Sequence, residues 1–403
     1  MKLSEELQWR GFVNQTTLKD AAELDNKKFT FYWGVDPSAP SMTIGNLAAA
    51  MMVRKFIKHG HKAVLLVGGA TGLIGDPDGK SQERDLKTPE EVAKNKAAIV
   101  DQYKTIFGGE HFTLVDNIDW FKDMGYLEFL REIGKHVPMR QMLGRDFVQA
   151  RLSQSGAGIS YAEFSYALIQ GYDFLHLFRH HGVTMQVSAS DQWGNSIAGV
   201  ELIRRIEGKE AHVWTTPLIV NKSTGVKFGK TEEGAIWLDS KMTSPNDFYQ
   251  FWVNVDDAGV GEYLKVYTEI APDELGRVME QFEADRAKRL AQKTLAYEVT
   301  KLVHGEKAAN DAKAYAETLS VSPGTGAESN VNAAVGASIV DTLVEAELAS
   351  SKTEARQLLA SGGIYINDQK ITRENFQTSD FVDGALKLRR GKTLQNTRVI
   401  TLQ

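Results

Sequence analysis

Between residues 29 and 220, short apolar, β-branched runs alternate with stretches of helical periodicity, and this alternation limits the fold more than any other feature. The runs are Phe29–Trp33, Ala63–Val67, Phe112–Val115, Val183–Val187 and the segment that ends in Pro217–Val220. Apolar runs of this length suit strands buried on both faces, as parallel strands are. The stretches between them carry helix signals. Thr88-Pro89-Glu90-Glu91 combines an N-cap, a proline at the first helical position and a capping-box glutamate. A second helix is expected from Leu47 to a stop at Gly60. The alternation predicts an α/β fold, a Rossmann-type doubly wound parallel sheet with ligands at the carboxyl ends of its strands.

A chain of 403 residues exceeds one ordinary core, so two or three domains are expected. From Ser244 to about Leu319 the pattern is helical, opened by Ser244-Pro245-Asn246-Asp247, with no strand signal. Val321 to Asn330, rich in Ser, Pro and Gly, reads as a linker. Helices are expected at Ile339–Glu347 and Lys352–Ser361, and a last strand near Arg398–Leu402. The expected division is 1–220, a catalytic sheet domain; 221–320, a lysine-bearing loop with an α-helical domain; 321–335, a linker; and 336–403, a small α+β domain.

There is no cysteine, which excludes disulfides, thiolate zinc sites and a cysteine nucleophile. The N-terminal residues have no apolar leader, and no run approaches the roughly 18 apolar residues of a membrane span. A soluble, cytoplasmic protein with no membrane partner is expected. The net charge of −5 argues against a nucleic-acid partner, but its distribution argues for one. Beyond Asp383 there is no acidic residue, while Lys387, Arg389, Arg390, Lys392 and Arg398 follow. Such a local basic patch is what nucleic-acid binders use.

The ends of the expected strands carry the chemistry. Lys227-Phe228-Gly229-Lys230-Thr231 sets two lysines around a glycine in a loop after an apolar run. Two ammonium groups there can neutralise charge as it moves onto a polyphosphate leaving group. Alone, such a pair is more often a solvated tip. After the first strand, Asp36 to Asn46 opens a helix, and Gly45 would let a nucleotide approach the backbone. After the second, Gly68-Gly69-Ala70-Thr71-Gly72-Leu73-Ile74-Gly75-Asp76 clears space, with Lys80 and Arg84 within reach of phosphate oxygens. The glycine spacing is wrong for a Walker P-loop. Tyr166, Gln170 and Asp173 share one helix face, either lining a pocket or forming an exposed polar stripe. Asp191 and Gln192 open another helix.

In this order and spacing, these segments resemble the bacterial tyrosyl-tRNA synthetases, a class I aminoacyl-tRNA synthetase family. Lys227–Thr231 matches its KMSKS-type loop; Gly68–Asp76, Phe164–Asp173 and Ser190–Asn195 match its core motifs, and the likeness spans the chain. The resemblance implies ATP-dependent activation of L-tyrosine and transfer of the tyrosyl group to tRNA(Tyr), with Mg²⁺ brought by ATP, no protein-bound metal, and a homodimer. It implies that Tyr32 and Asp173 bind the phenol, and that Asp76, Tyr166 and Gln170 cage the α-ammonium. Gln192 would meet the carboxylate, while Asp36, Gly45, Asn46 and Asp191 would lie by ATP. Lys80, Arg84, Lys227, Lys230 and Thr231 would clamp pyrophosphate. Ser351–Lys370 resembles S4 RNA-binding domains, which makes Lys352, Arg356, Lys370, Arg389, Arg390 and Lys392 candidate RNA contacts. Two departures stand out. The HIGH signature reads Thr43-Ile44-Gly45-Asn46, without histidines, and Ser188-Ala189 replace two glycines. The nucleophile is already an ionised carboxylate, so the histidines are expected to act as hydrogen-bond donors that Thr43 and Asn46 replace. The missing histidines keep one alternative in play, a non-catalytic RNA-binding relative; a second is an adenylate-forming enzyme with a non-tRNA acceptor.

Overall fold

The structure, a computed structural model, describes the chain except residues 78–85, 110, 145, 154–157, 227, 229, 232–233, 322–326, 350, 368, 383 and 392–396. Of residues 141, 146–147, 230–231, 234, 318–321 and 327–330 the backbone alone is described. Lys80, Arg84, Lys227 and Lys392 therefore lie outside the described residues, as do the side chains of Lys230 and Thr231. The chain forms two compact units, Met1–Ala309 and Asn310–Gln403.

The first unit is built on five parallel strands, β1 (Thr30–Val35), β2 (Lys62–Val67), β3 (Phe112–Asp116), β4 (Met185–Ala189) and β5 (His212–Thr216), in the order β3-β2-β1-β4-β5. The winding reverses between β1 and β4, where Tyr32 stands opposite Gln186, and a crevice opens there over the strand ends. The fifth strand lies earlier than its expected place. Pro217–Val220 leaves the sheet, and His212–Thr216 pairs with β4 instead, with Trp214 wholly buried. A proline has no N–H to donate to a ladder, so the strand ends before it.

Helix signals translate directly into backbone. Thr88 caps helix Pro89–Ile106 by accepting from Glu91 N at 3.2 Å, and Glu91 Oε2 accepts from Thr88 N at 2.9 Å. The long helix Tyr161–His181 starts at Ser160, whose hydroxyl accepts from Glu163 N, and ends at Gly182, left-handed at φ 65°. Helix Ile44–Lys58 is buried along most of its length. The helices Pro245–Val253, Val260–Tyr267, Pro272–Ala284 and Leu290–His304 follow. They belong to the same compact unit as the sheet. Arg10 donates to the carbonyls of Lys265, Thr268 and Ile270, and Glu269 pairs with Arg54, Lys55 and Lys58 of helix Ile44–Lys58. Before them, β6 (Lys230–Thr231) and β7 (Gly234–Ala235) form a short antiparallel pair.

The second unit carries a mixed sheet of β8 (Ala327–Ala333), β9 (Ile364–Ile366), β10 (Gln369–Ile371), β11 (Ala385–Arg390) and β12 (Thr397–Leu402), in the order β10-β9-β11-β12-β8. Helices Ile339–Glu345 and Lys352–Ser361 pack on it around Ile339, Leu343, Leu359, Ile364, Leu388 and Ile400. Residues 327–333, expected within the linker, pair parallel with β12. Val331 and Ala333 reach this core, and two apolar positions were too few to show against the polar composition around them.

Candidate active site

A cavity of about 340 Å³ opens at the crevice between β1 and β4. Its deep part is formed by Tyr32, Gln186 and Asp173, each almost fully buried. Tyr166, Gln170 and Asp173 all line it, so the polar stripe of the long helix faces a pocket. The Tyr32 hydroxyl is buried with no hydrogen-bond partner. Burial, and then the charge of Asp173, push its pKa well above the ordinary tyrosine value, so it remains an un-ionised donor. Gln170 Oε1, Gln186 Oε1 and Thr216 Oγ1 are also buried and unpartnered, on residues that line the same cavity. Unpaired buried polar atoms cost about 1–3 kcal/mol each, so this cavity suits a polar guest.

Asp173 is held by residues that the sequence did not single out. Its Oδ1 accepts from Trp120 Nε1 at 2.9 Å and its Oδ2 from Asn117 Nδ2 at 3.1 Å. Burial raises its pKa well above the ordinary aspartate value; these two bonds oppose the rise, and the charges of Asp36 and Asp116 add to it. Asn117, fully buried, also donates to Thr71 Oγ1 at 2.9 Å and accepts from Ala70 N at 2.7 Å. Thr71 donates to Asp36 Oδ1 at 2.5 Å, and Tyr166 donates to Asp36 Oδ2 at 2.6 Å. One network thus runs from Tyr166 through Asp36, Thr71 and Asn117 to Asp173 and Trp120. Close packing in and beside this network explains two glycines. A methyl group on Gly68 would strike Asp36 Oδ1 and Thr71 Oγ1, and one on Gly69 would strike Asp116 Oδ1. The signal for Asn117 was its place just after β3, at a strand end where ligand-binding residues gather.

Toward the mouth, Asp76 accepts from Gln192 Nε2 at 2.6 Å, and Gln192 Oε1 accepts from Asn195 Nδ2 at 3.1 Å. Gln192, expected at a carboxylate, therefore stands against the residue expected at the ammonium. Thr43, Gly45 and Asn46 line the cavity at the start of helix Ile44–Lys58, as do Asp36, Ala189 and Asp191. The Thr43 N–H and hydroxyl both donate to Asn46 Oδ1, at 2.9 and 3.1 Å. Phe228, from the lysine loop, lines the cavity and docks among Tyr263, Phe251 and Trp252, with ring centroids 4.5, 5.4 and 5.6 Å away. Among the described residues no group of three His, Asp or Glu could hold a metal ion. No described helix is long and apolar enough to cross a membrane.

In the second unit the basic residues differ in their engagement. Lys352 pairs with Asp341 at 2.8 Å, and Arg356 is exposed. Arg390 pairs with Glu354 at 2.9 Å and donates to the Leu348 carbonyl. The Arg389 guanidinium lies 4.9 Å from the Tyr365 ring centroid. Lys370 lays its stem against Gly362.

Known proteins with these features are consistent in kind. Residues 24–320 match the family model described as tRNA synthetases class I (W and Y), and residues 326–394 match that of the tyrosine–tRNA ligase SYY-like C-terminal domain. The tyrosine–tRNA ligase of Geobacillus kaustophilus is 43% identical over 92% of each chain. That of Limosilactobacillus fermentum is 40% identical over 97% of this chain and 98% of its own. The crystal structure of a C-terminally truncated Aspergillus nidulans mitochondrial tyrosyl-tRNA synthetase superposes with a TM-score of 0.71 at 32% identity. It covers 79% of this chain and 94% of that one. With two family models tiling the chain and near full-length relatives at this identity, the chain belongs to the tyrosine–tRNA ligases of the class I aminoacyl-tRNA synthetases.

Proposed function

We propose that the cavity activates L-tyrosine with ATP and that the enzyme then transfers the tyrosyl group to the 3′ end of tRNA(Tyr), with the roles that follow. Tyr32 and Asp173 receive the phenol: the Tyr32 hydroxyl donates to the phenol oxygen, and Asp173 accepts the phenol hydrogen. The buried, unpartnered hydroxyl of Tyr32 beside a carboxylate is the observation that carries this reading. Asp76, with Tyr166 and Gln170, takes the α-ammonium, and Gln192 orients Asp76 from behind through its 2.6 Å bond. The substrate carboxylate then points toward the mouth, where Asp36, Thr43, Gly45, Asn46 and Asp191 border the ATP.

The carboxylate attacks the α-phosphorus of ATP, which enters as its magnesium complex, and the bond to pyrophosphate breaks. No protein base is required, because the nucleophile is already an anion. Catalysis is positioning plus charge stabilisation, with Lys80, Arg84, Lys227, Lys230 and Thr231 meeting the charge that grows on pyrophosphate. The Asn46 side-chain N–H₂ takes a donor role of the signature histidines, and the Thr43 hydroxyl does so on turning from Asn46 Oδ1.

The second unit binds tRNA, with Arg356, Lys370, Arg389 and Lys392 as phosphate or base contacts. Lys352 and Arg390 contribute less, since each is engaged by an acidic neighbour. The working form is a cytoplasmic homodimer. Its support is the exposed apolar surface contributed by one segment of the first unit, Tyr126, Leu127, Met139, Leu152 and Tyr161, the first two 62% and 79% exposed.

The test is truncation after Val321, at the end of the helix Glu306–Val321. Tyrosine-dependent ATP–pyrophosphate exchange should persist, while tRNA charging should be abolished, and the binding lost should be its salt-sensitive part. Normal charging by the truncated chain would remove the second unit from RNA recognition. Absence of exchange in the full chain would leave the non-catalytic alternative.

A further inference from the structure

Trp120 is held between two residues of one helix. Its indole N–H donates to Asp173 Oδ1 at 2.9 Å, and its ring stacks on the imidazole of His176, centroids 4.4 Å apart and planes 16° from parallel. Asp173 and His176 are three residues apart on the helix Tyr161–His181, hence neighbours on its surface. The edge of the indole is thus fixed by a carboxylate and its face by the next turn. His176 is itself held in place, with the His180 ring 4.4 Å away and the Tyr172 ring edge-on at 6.0 Å. Burial, followed by the nearby charges of His180, His181 and Arg179, lowers its pKa to about 4, so the stacked ring is neutral near pH 7.

We propose that His176 is a specificity-positioning residue: by stacking on Trp120 it fixes the indole N–H on Asp173 and so fixes the carboxylate that reads the substrate phenol. The inference rests on the reading above in which Asp173 takes that phenol. Asp173 has two donors from the protein, Trp120 and Asn117. Asn117 is locked on its other side by Thr71 and Ala70, and Trp120 has His176 on its face. An indole free to tilt would let the carboxylate rotate about its last torsion, which is broad and soft. Discrimination between tyrosine and phenylalanine depends on the angle at which that carboxylate meets the phenol hydrogen, whereas the ammonium and ATP contacts do not. His176 therefore acts on selectivity and leaves the chemistry of activation alone.

The experiment compares His176→Ala, His176→Phe, Trp120→Phe and Tyr32→Phe in the full chain. It measures kcat/KM for tyrosine and for phenylalanine in ATP–pyrophosphate exchange, with KM for ATP and the thermal midpoint alongside. His176→Ala should lower the tyrosine-to-phenylalanine ratio about three- to tenfold, the cost of one weakened hydrogen bond, with KM for ATP unchanged. His176→Phe, which keeps a flat ring on the indole, should restore most of the ratio. Trp120→Phe removes the N–H and should lower the ratio at least as far, and adding His176→Ala to it should change the ratio no further. A ratio unchanged in His176→Ala but lowered in Tyr32→Phe overturns the role of His176 and leaves the pocket where it is. Equal losses for both amino acids with a lower thermal midpoint reduce His176 to a packing residue and overturn the proposal. So does failure of His176→Phe to restore what His176→Ala lost. A ratio unmoved by Tyr32→Phe overturns the pocket assignment, and this inference with it.

Discussion

The two ends of the cavity are built differently. At the deep end, Tyr32, Tyr166, Gln186 and Asp173 stand on strands and on one long helix, and a continuous hydrogen-bond network fixes the acidic groups. At the mouth, the described groups come from the starts of helices: Thr43 to Asn46, and Asp191. The division suits the work proposed for each end. Selecting a phenol needs donors and acceptors whose angles are set before the substrate arrives. Stabilising pyrophosphate needs positive charge that meets the transition state more strongly than bound ATP, the role proposed for Lys80, Arg84, Lys227 and Lys230. Variants at the mouth should therefore move kcat, and variants at the deep end should move selectivity.

The largest expected effect is on the proposed pyrophosphate clamp. Lys227→Ala or Lys230→Ala should lower kcat and kcat/KM for activation together by roughly 10²–10³, the scale for removing one donor from developing charge. The affinity for tyrosine should stay near that of the parent. Pre-steady-state adenylate formation with an independent tyrosine titration separates the two. A change confined to the KM for tyrosine would break the division between the ends.

At the deep end the expected effect is smaller and of another kind. Tyr32→Phe should lower the ratio of kcat/KM for tyrosine over phenylalanine about tenfold, by loss of one buried hydrogen bond, while adenylate chemistry survives. Asp173→Ala should damage tyrosine binding more, because it also leaves the Trp120 and Asn117 donors unpaired. Exchange kinetics with both amino acids decide this, and an unchanged ratio in Tyr32→Phe would place selectivity elsewhere.

Legibility in the sequence divided along another line. The parallel sheet, the Thr88 cap and the shared face of Tyr166, Gln170 and Asp173 follow from local rules of period and capping, which one sequence displays fully. Family likeness then gave those residues their expected roles. Trp120, Thr71 and Gln186 were not legible, and Asn117 only through its place after β3, because their importance lies in contacts across 46 to 56 positions or in facing an empty cavity. No periodicity encodes such a contact. The strand at Ala327–Ala333 was missed for another reason: an edge strand needs few apolar residues, and its polar composition resembles a linker.

The smallest effect on catalysis should come from the scaffold under the mouth, together with a clear effect on acid stability. Glu6 and Glu269 converge on Lys55, which is buried, with Arg10, Arg54, Lys58 and His59 around them. Burial alone would raise the pKa of Glu269, but the Lys55 charge and the bonds from Lys55, Lys58 and Arg54 outweigh it and hold it at about 2. Glu6 is likewise held at about 2, where burial is outweighed by His59, Arg10 and Lys55. In the unfolded chain both carboxyls titrate near 4.3, roughly the value for free glutamate. Their folded pKa is depressed, so the stability they contribute is complete above that value and shrinks as pH falls from there toward 2. Partial exposure limits the contribution to about 1–2 kcal/mol each. Glu269→Gln should therefore lower the urea midpoint at pH 7, where Lys55 loses its nearest counter-charge, and should flatten the decline between pH 4.5 and 3. The tyrosine-to-phenylalanine ratio should stay at the parental value, because the cluster touches the far part of helix Ile44–Lys58 and none of the deep pocket. Urea titrations at pH 7, 4.5 and 3, paired with exchange kinetics, give both readings. A lost ratio in this variant would mean that the deep end borrows its rigidity from the ion cluster as well as from its own network.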